Sequence, residues 1–206
     1  MNYLAHGHRH LDDPWFVAGT ALPDWLAASD RRSRLRPERI RDDGPLARGV
    51  QQHVEDDAWF HATEAFQRSE VELTALVKSV HADEPRQRSW FFGHILVELL
   101  LDAWLMEQDS TLLDRYFDAL DEVAADRVVS QAEPWLTQPP SRLHAFIDLF
   151  RTHRFLDGYR TDEGLLARLN GVAGRVGLPT LVPATLPLLS EARRLVYDRA
   201  PELLTR

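Results

Sequence analysis

Two groups of histidine and carboxylate residues recur at one spacing in this sequence. His53, Asp57 and His61 stand at i, i+4 and i+8, and so do His94, Glu98 and Asp102. Each step of four residues turns an α-helix by about 400°, so successive members drift by only about 40° and stack along one edge. Imidazole nitrogen and carboxylate oxygen suit Mn, Fe or Zn, and a chain without cysteine has no thiolate to offer a softer ion. Two helices that each present such an edge would converge on one or two divalent cations.

The setting of the second group adds weight. From Trp90 to Met106 its only ionisable residues are His94, Glu98 and Asp102. A helix that is apolar nearly all round is expected to be buried, and buried carboxylates are costly unless they are paired or hold a cation. An ordinary solvated edge would be wider and would carry lysine or arginine. A third element supplies His6 and His8 near the N-terminus, and Asp24 in the apolar segment Gly19-Thr20-Ala21-Leu22-Pro23-Asp24-Trp25. The plainer reading of Asp24 is a helix cap, and His10 reads as an exposed residue. Glu55 and Asp56 adjoin Asp57 but lie at other helical angles, so they read as surface acids.

The elements that must position these residues are helices. Asp12 or Asp13 can cap a helix opening at Pro14 and running to about residue 28, with Pro23 as a break or kink. Asp42-Asp43-Gly44-Pro45 signals a turn. Helices are then expected over about 46–63, 70–81 and 83–107, the last opened by Asp83-Glu84-Pro85. Ser110 is placed as the cap of a helix to about 129, and Ser141 as the cap of one to about 155. Residues 159–177 read as weakly helical, and a last helix covers about 188–204. No stretch alternates with period two over a useful length, so no sheet is expected. The fold class read from the sequence is all-α, one helical bundle over residues 1–206.

Composition narrows the function. The chain has 206 residues, 24 basic and 32 acidic side chains, and a formal charge of −8. This balance argues against general nucleic-acid binding. The N-terminus lacks the basic and apolar regions of a signal peptide, and the stretch 95–106 is too short and too polar to span a bilayer. A cytoplasmic protein without membrane partners is expected. Paired Glu-x-x-His motifs of a diiron carboxylate bundle and a Gly-x-Ser-x-Gly nucleophile are both missing from the sequence.

Three segments carry a family resemblance: Met1-Asn2-Tyr3-Leu4-Ala5-His6-Gly7-His8, Gly19 to Trp25, and Gly49-Val50-Gln51-Gln52-His53-Val54-Glu55-Asp56-Asp57. They resemble the acyl carrier protein phosphodiesterases, which open with Met-Asn-Phe-Leu-Ala-His-x-His and follow with Gly-Asn-x-x-x-Asp and Gly-x-x-x-His-x-x-x-Asp. The resemblance is clearest over residues 1–62. It implies an all-helical fold distantly related to the HD phosphohydrolases. It also implies a divalent metal, typically manganese, and hydrolysis of the phosphodiester joining 4′-phosphopantetheine to a carrier protein. His6 and Asp24 match the N-terminal motifs, and His53 and Asp57 the central one. The chain departs from the pattern at Thr20 (Asn in the family), at His61 (Asp) and at Gly93-His94 (Asp-His).

These readings combine into one expectation. Asp24, His53, Asp57 and His94 are the candidate catalytic residues. His6, Asp24, His53, Asp57, His61, His94 and Glu98 are candidate ligands of Mn, with Fe or Zn as alternatives, and Asp102 stands behind them. Glu98 or Asp102 would replace the acid missing at position 93. Arg31, Arg32, Arg34, Arg36, Arg39 and Arg41 face a single glutamate between them, and such a patch suits an acidic partner such as a carrier protein. Two other readings remain open: a helical binding protein that has lost catalysis, and a metal-dependent hydrolase of another phosphoester.

Overall fold

The computed structural model describes residues 1–81 and 88–206. The chain forms two compact units, one from Met1–Asp57 and Ser110–Phe155, the other from Ala58–Asp109 and Leu156–Arg206. Both are helical. Among the described residues the β-type pairing is an isolated bridge between Leu35 and Leu136.

In the first unit the short helix α1 (Tyr3–Gly7) leads to α2 (Pro14–Ser29). Asp13 caps α2 by accepting from Phe16 N at 3.1 Å, and Pro14 occupies the first turn, where no amide hydrogen is needed. α2 continues through Pro23 to Ser29, so this proline does not end it and Asp24 lies inside the helix rather than at a cap. α3 (Pro45–Ala62) starts in this unit. It meets α2 through Gly19 and Gly49, where a Cβ added to either would stand 2.9 Å from the other's Cα. A side chain at either place would force the helices apart. α6 (Leu112–Asp121), α7 (Ala125–Ala132) and α8 (Leu143–His153) complete the unit. Its core gathers on Phe150, whose ring lies 4.7 Å from Tyr3, 5.5 Å from Phe117 and 5.7 Å from Trp25.

The single helix expected over 110–129 is thus two. The ladder opens at Val123, whose carbonyl accepts from the Arg151 guanidinium instead of a helical amide. Ser141 does not cap α8 with its hydroxyl. Asp30 does that work from α2's far end, accepting from the amides of Ser141 and Arg142 at 2.6 and 2.7 Å.

In the second unit α4 (Glu64–Val80) packs along α5 (Ser89–Gln108), and α10 (Leu186–Leu203) lies against both, with α9 (Asp162–Val176) beside it. α4 starts earlier than expected because Thr63 caps it, accepting from Phe66 N at 3.2 Å. The start assigned to Asp83-Glu84-Pro85 lies outside the described residues. By length and composition α5 would suffice to cross a bilayer. Its Phe92, Leu96, Val97, Leu100 and Leu101 are buried, as in the central helix of a bundle. Arg199 on α10 pairs with Glu72 at 2.7 Å, and His81 Nε2 meets Thr185 Oγ1 at 3.0 Å.

Gly93 sets the separation of α4 and α5. A Cβ there would stand 2.8 Å from Thr74 N and 2.9 Å from Glu70 O, both backbone atoms that cannot swing away. Gly93→Ala should therefore lower stability by about 1–3 kcal/mol through overpacking. Gly171 on α9 has open space around its Cβ position, so Gly171→Ala should raise stability by about 0.4–1 kcal/mol. Urea midpoints of the two variants, moving in opposite directions, check this.

Candidate functional site

The described residues hold two groups able to bring three ligand atoms within 4.8 Å of one another: His6, His53 and Asp57 in the first unit, and His61, His94 and Glu98 in the second. The two histidine-and-acid edges read from the sequence are therefore shared out differently. His61 joins the α5 residues, and His6 of α1 takes the third place beside His53 and Asp57.

The first group is built by the glycine contact. Thr20 follows Gly19 on α2, and His53 lies one turn after Gly49 on α3. The contact sets His53 Nδ1 at 2.8 Å from the Thr20 carbonyl. A carbonyl only accepts, so Nδ1 carries the proton and donates it. The other ring nitrogen, Nε2, then faces Asp57 Oδ2 at 3.5 Å, where it serves either as a second proton carrier or as a lone pair for a cation. Position 20 contributes its backbone here, so threonine in place of asparagine leaves this contact intact. The rings of His6 and His53 stack with centroids 4.0 Å apart.

His6 is fully buried. Its Nε2 lies 3.2 Å from Asp57 Oδ1 and its Nδ1 3.5 Å from Asp56 Oδ2, yet neither nitrogen has the alignment of a hydrogen bond. Donors of this kind, buried and close to carboxylates without a directed bond, fit a divalent cation. Burial works against charge on His6, but Asp56 and Asp57 outweigh it and raise its pKa to about 9. Asp57 is partly desolvated, which opposes its ionisation. His53, His6 and the terminal amine at 2.5 Å nevertheless hold its carboxyl well below the usual range.

Asp56 is not the surface acid expected. It is nearly buried, receives the Gln52 amide at 2.5 Å and faces His6. α1 folds across a wider arc of α3 than one stacked edge covers, so adjacent carboxylates both meet one imidazole. Glu55 is exposed as expected. Asp24 lies outside the three-residue group, though its negative charge favours the charged form of His6. His8 turns to the carbonyls of Leu4 and Ala5 at 3.0 and 3.2 Å, and burial pushes its pKa down. His10 packs on Phe16.

In the second group His61 Nε2 and His94 Nε2 approach the same oxygen, Glu98 Oε1, at 3.0 and 3.5 Å. Burial opposes the charge on Glu98, but the surrounding positive charge and the bonds from His61 and His94 hold its carboxyl well below the ordinary range. Burial likewise opposes charge on His94, yet Glu98 and Glu70 raise its pKa. Glu70 Oε1 accepts from His94 Nδ1 at 2.9 Å. Sequence spacing missed Glu70 because it comes from α4, 24 residues away. The signal that could have found it is Gly93, the small residue that lets α4 come close. Asp102 is fully buried on α5 and lies outside this group.

Arg31, Arg32, Arg34, Arg36, Arg39 and Arg41 are all exposed. Their segment is not a loose loop. Arg36 N donates to Trp135 O at 2.8 Å, Thr137 N donates to Arg34 O at 2.9 Å, and Ser33 and Ile40 are buried. Arg36 comes within 4.0 Å of Glu38, and Arg39 spends its guanidinium on the Leu136 carbonyl.

No family model, curated protein or solved structure matches the chain.

Histidines that ligate a cation and histidines satisfied by ion pairs respond differently to metal. Adding Mn²⁺ or Zn²⁺ at about a hundredfold over Kd should stabilise the fold by about 2.7 kcal/mol per site, and EDTA should reverse the gain. Differential scanning calorimetry with and without chelator reads this. An unchanged melting temperature with every divalent ion would leave both groups as ion pairs only.

Proposed function

We propose that this chain is a metal-dependent phosphoester hydrolase that holds a divalent cation on His6, His53 and Asp57. The observation that carries the reading is His53. Its Nδ1 is committed to the Thr20 carbonyl, which leaves Nε2 to share an ion with Asp57 and the buried His6. The resemblance favours manganese, and the donor set also suits iron or zinc. A divalent cation there would polarise a phosphoryl oxygen and acidify a water.

The chain's own residues prepare the place. Gln52 fixes Asp56, and Asp56 faces the far nitrogen of His6. Asp57, whose side chain is 33% exposed, is the member of the group that solvent reaches. Asp24 adds negative charge that favours a cation beside His6. His94, the remaining candidate catalytic residue, belongs to the second group and is not needed for this reading.

The substrate class proposed is a 4′-phosphopantetheinylated carrier protein. It rests on the resemblance of residues 1–62 and on the exposed guanidiniums of Arg31, Arg32, Arg34 and Arg41, which suit an acidic protein. A cytoplasmic location goes with that substrate. A second reading, a helical binding protein without catalysis, is favoured by Gly93, since the family's acid at that position cannot be housed beside α4.

Hydrolysis of bis-p-nitrophenyl phosphate and of the phosphopantetheinylated carrier protein separates these readings. Wild-type protein should turn over at least one of them with Mn²⁺. Asp57→Ala should abolish turnover, and Asp56→Asn should cost about 10–100-fold as a loss of ligand orientation. Full activity in Asp57→Ala sinks the hydrolase reading at this group, and metal binding without any turnover favours the binding protein. Charge reversal of Arg31, Arg32 and Arg34 to Glu should weaken carrier-protein association at low salt. The difference should shrink at about 1 M salt, where the Debye length is about 3 Å. Equal affinity in surface plasmon resonance would remove the patch from the interface.

A further inference from the structure

We infer that the second unit carries its own zinc-type cation site, made by His61 Nε2, His94 Nε2 and Glu98 Oε1, with Glu70 as the residue that positions His94. The inference does not depend on the chain being a phosphoester hydrolase, because it uses none of His6, His53, Asp56 and Asp57, on which the proposed reaction rests.

Three features of the group carry it. The first is convergence. Two imidazole nitrogens from different helices point at one carboxylate oxygen, and the three ligand atoms fit within the span of a single ion.

The second is orientation. Glu70 Oε1 accepts from His94 Nδ1 at 2.9 Å. This ties Nδ1 to Glu70 and leaves Nε2 as the ring nitrogen that faces Glu98, the carboxylate–histidine arrangement found behind metal-bound imidazoles. Gly93 makes the contact possible. With no side chain at 93, the backbone of α4 comes within contact distance of α5 at Glu70 and Thr74.

The third is the wall. Phe66 packs edge-on to both imidazoles, with centroids 4.7 Å from His61 and 5.0 Å from His94, and Phe60 lies 5.6 Å from His61. This apolar backing closes one side to further oxygen ligands. The three side chains are 17–33% exposed, so the other side stays open to solvent. Two imidazoles, one carboxylate, a blocked back and an open front fit a four-coordinate ion with one exchangeable position. Mg²⁺ and Ca²⁺ demand more oxygens than the group supplies. The class of ligand is therefore Zn²⁺, with Co²⁺ as its spectroscopic probe.

The test uses the full chain and the metal alone. Zn²⁺ content after equilibrium dialysis and the visible absorption of bound Co²⁺ are measured for wild type, Glu98→Gln, Glu70→Gln and Asp57→Asn, with circular dichroism confirming the helical fold of each. Glu98→Gln should lose about one equivalent of zinc together with one Co²⁺ band, while Asp57→Asn keeps that band. Glu70→Gln should keep the stoichiometry at saturation and bind about 10–100-fold more weakly. Should Glu98→Gln misfold, Glu70→Gln alone still distinguishes a positioned ligand from an ion pair. Equal zinc content and affinity in wild type, Glu98→Gln and Glu70→Gln would overturn the inference. Loss of all metal from Asp57→Asn as well as from Glu98→Gln would also overturn it, by showing one shared ion. A single equivalent that survives Asp57→Asn and vanishes in Glu98→Gln supports this site and counts against the cation proposed at His6, His53 and Asp57.

Discussion

Helices come close to backbone contact where a glycine removes the side chain between them, and both histidine groups of this chain lie beside such a place. Gly19 and Gly49 let α2 and α3 meet at a separation that no other residue pair would allow. The consequence appears one residue later on one helix and one turn later on the other. The Thr20 carbonyl and His53 Nδ1 come within 2.8 Å, and this single bond decides which nitrogen of His53 faces Asp57. In the second unit Gly93 plays the same part toward α4, and the bond that follows is Glu70 to His94. A methyl group at any of these positions would move a helix by a few tenths of an ångström or more. Hydrogen-bonded positioning of an imidazole does not tolerate such shifts well.

The electrostatic arrangement explains why these histidines are not ordinary core residues. A fully buried imidazolium is costly to desolvate, and a neutral one needs a partner for each nitrogen. His6 meets this by lying between two adjacent acids, Asp56 and Asp57, which raise its pKa to about 9 despite burial. The opposing charges are thus concentrated at one spot inside a helical unit. That concentration is expensive to keep for stability alone, because an apolar replacement of an ion cluster is often neutral or stabilising. On the function proposed above, a single cation would be shared by these nitrogens and carboxylates.

Much of this was legible in the sequence, but unevenly. The all-helical class followed from period and from the absence of alternating runs. The stacked His/acid edges of α3 and α5 are real helical edges, because i, i+4 spacing is a local property that tertiary packing does not alter. What spacing could not say is which edges meet. His61 shares α3 with His53 and Asp57, yet its partner Glu98 comes from α5, and the acid behind His94, Glu70, comes from α4. Asp56 was misread for a related reason: an angle of about 100° from Asp57 puts a residue on another face of an isolated helix, but α1 covers both faces at once. Helix ends failed where the capping group came from far away, as with Asp30 at the start of α8. They succeeded where it was local, as with Asp13.

Gly93 looks in the sequence like the loss of an acid that the resembled family keeps beside its histidine. In the structure it is the condition for recovering one. Removing the side chain at 93 draws α4 against α5, and α4 carries Glu70 to His94 from the opposite side. Glu98, one turn along α5, supplies a second carboxylate to the same ring. His94 therefore keeps acidic partners at both nitrogens, although neither acid adjoins it in sequence. Nδ1 is bonded to Glu70 at 2.9 Å and Nε2 stands 3.5 Å from Glu98, so of the two nitrogens Nε2 is the one held less closely, and the one a cation would share with Glu98 on the inference above.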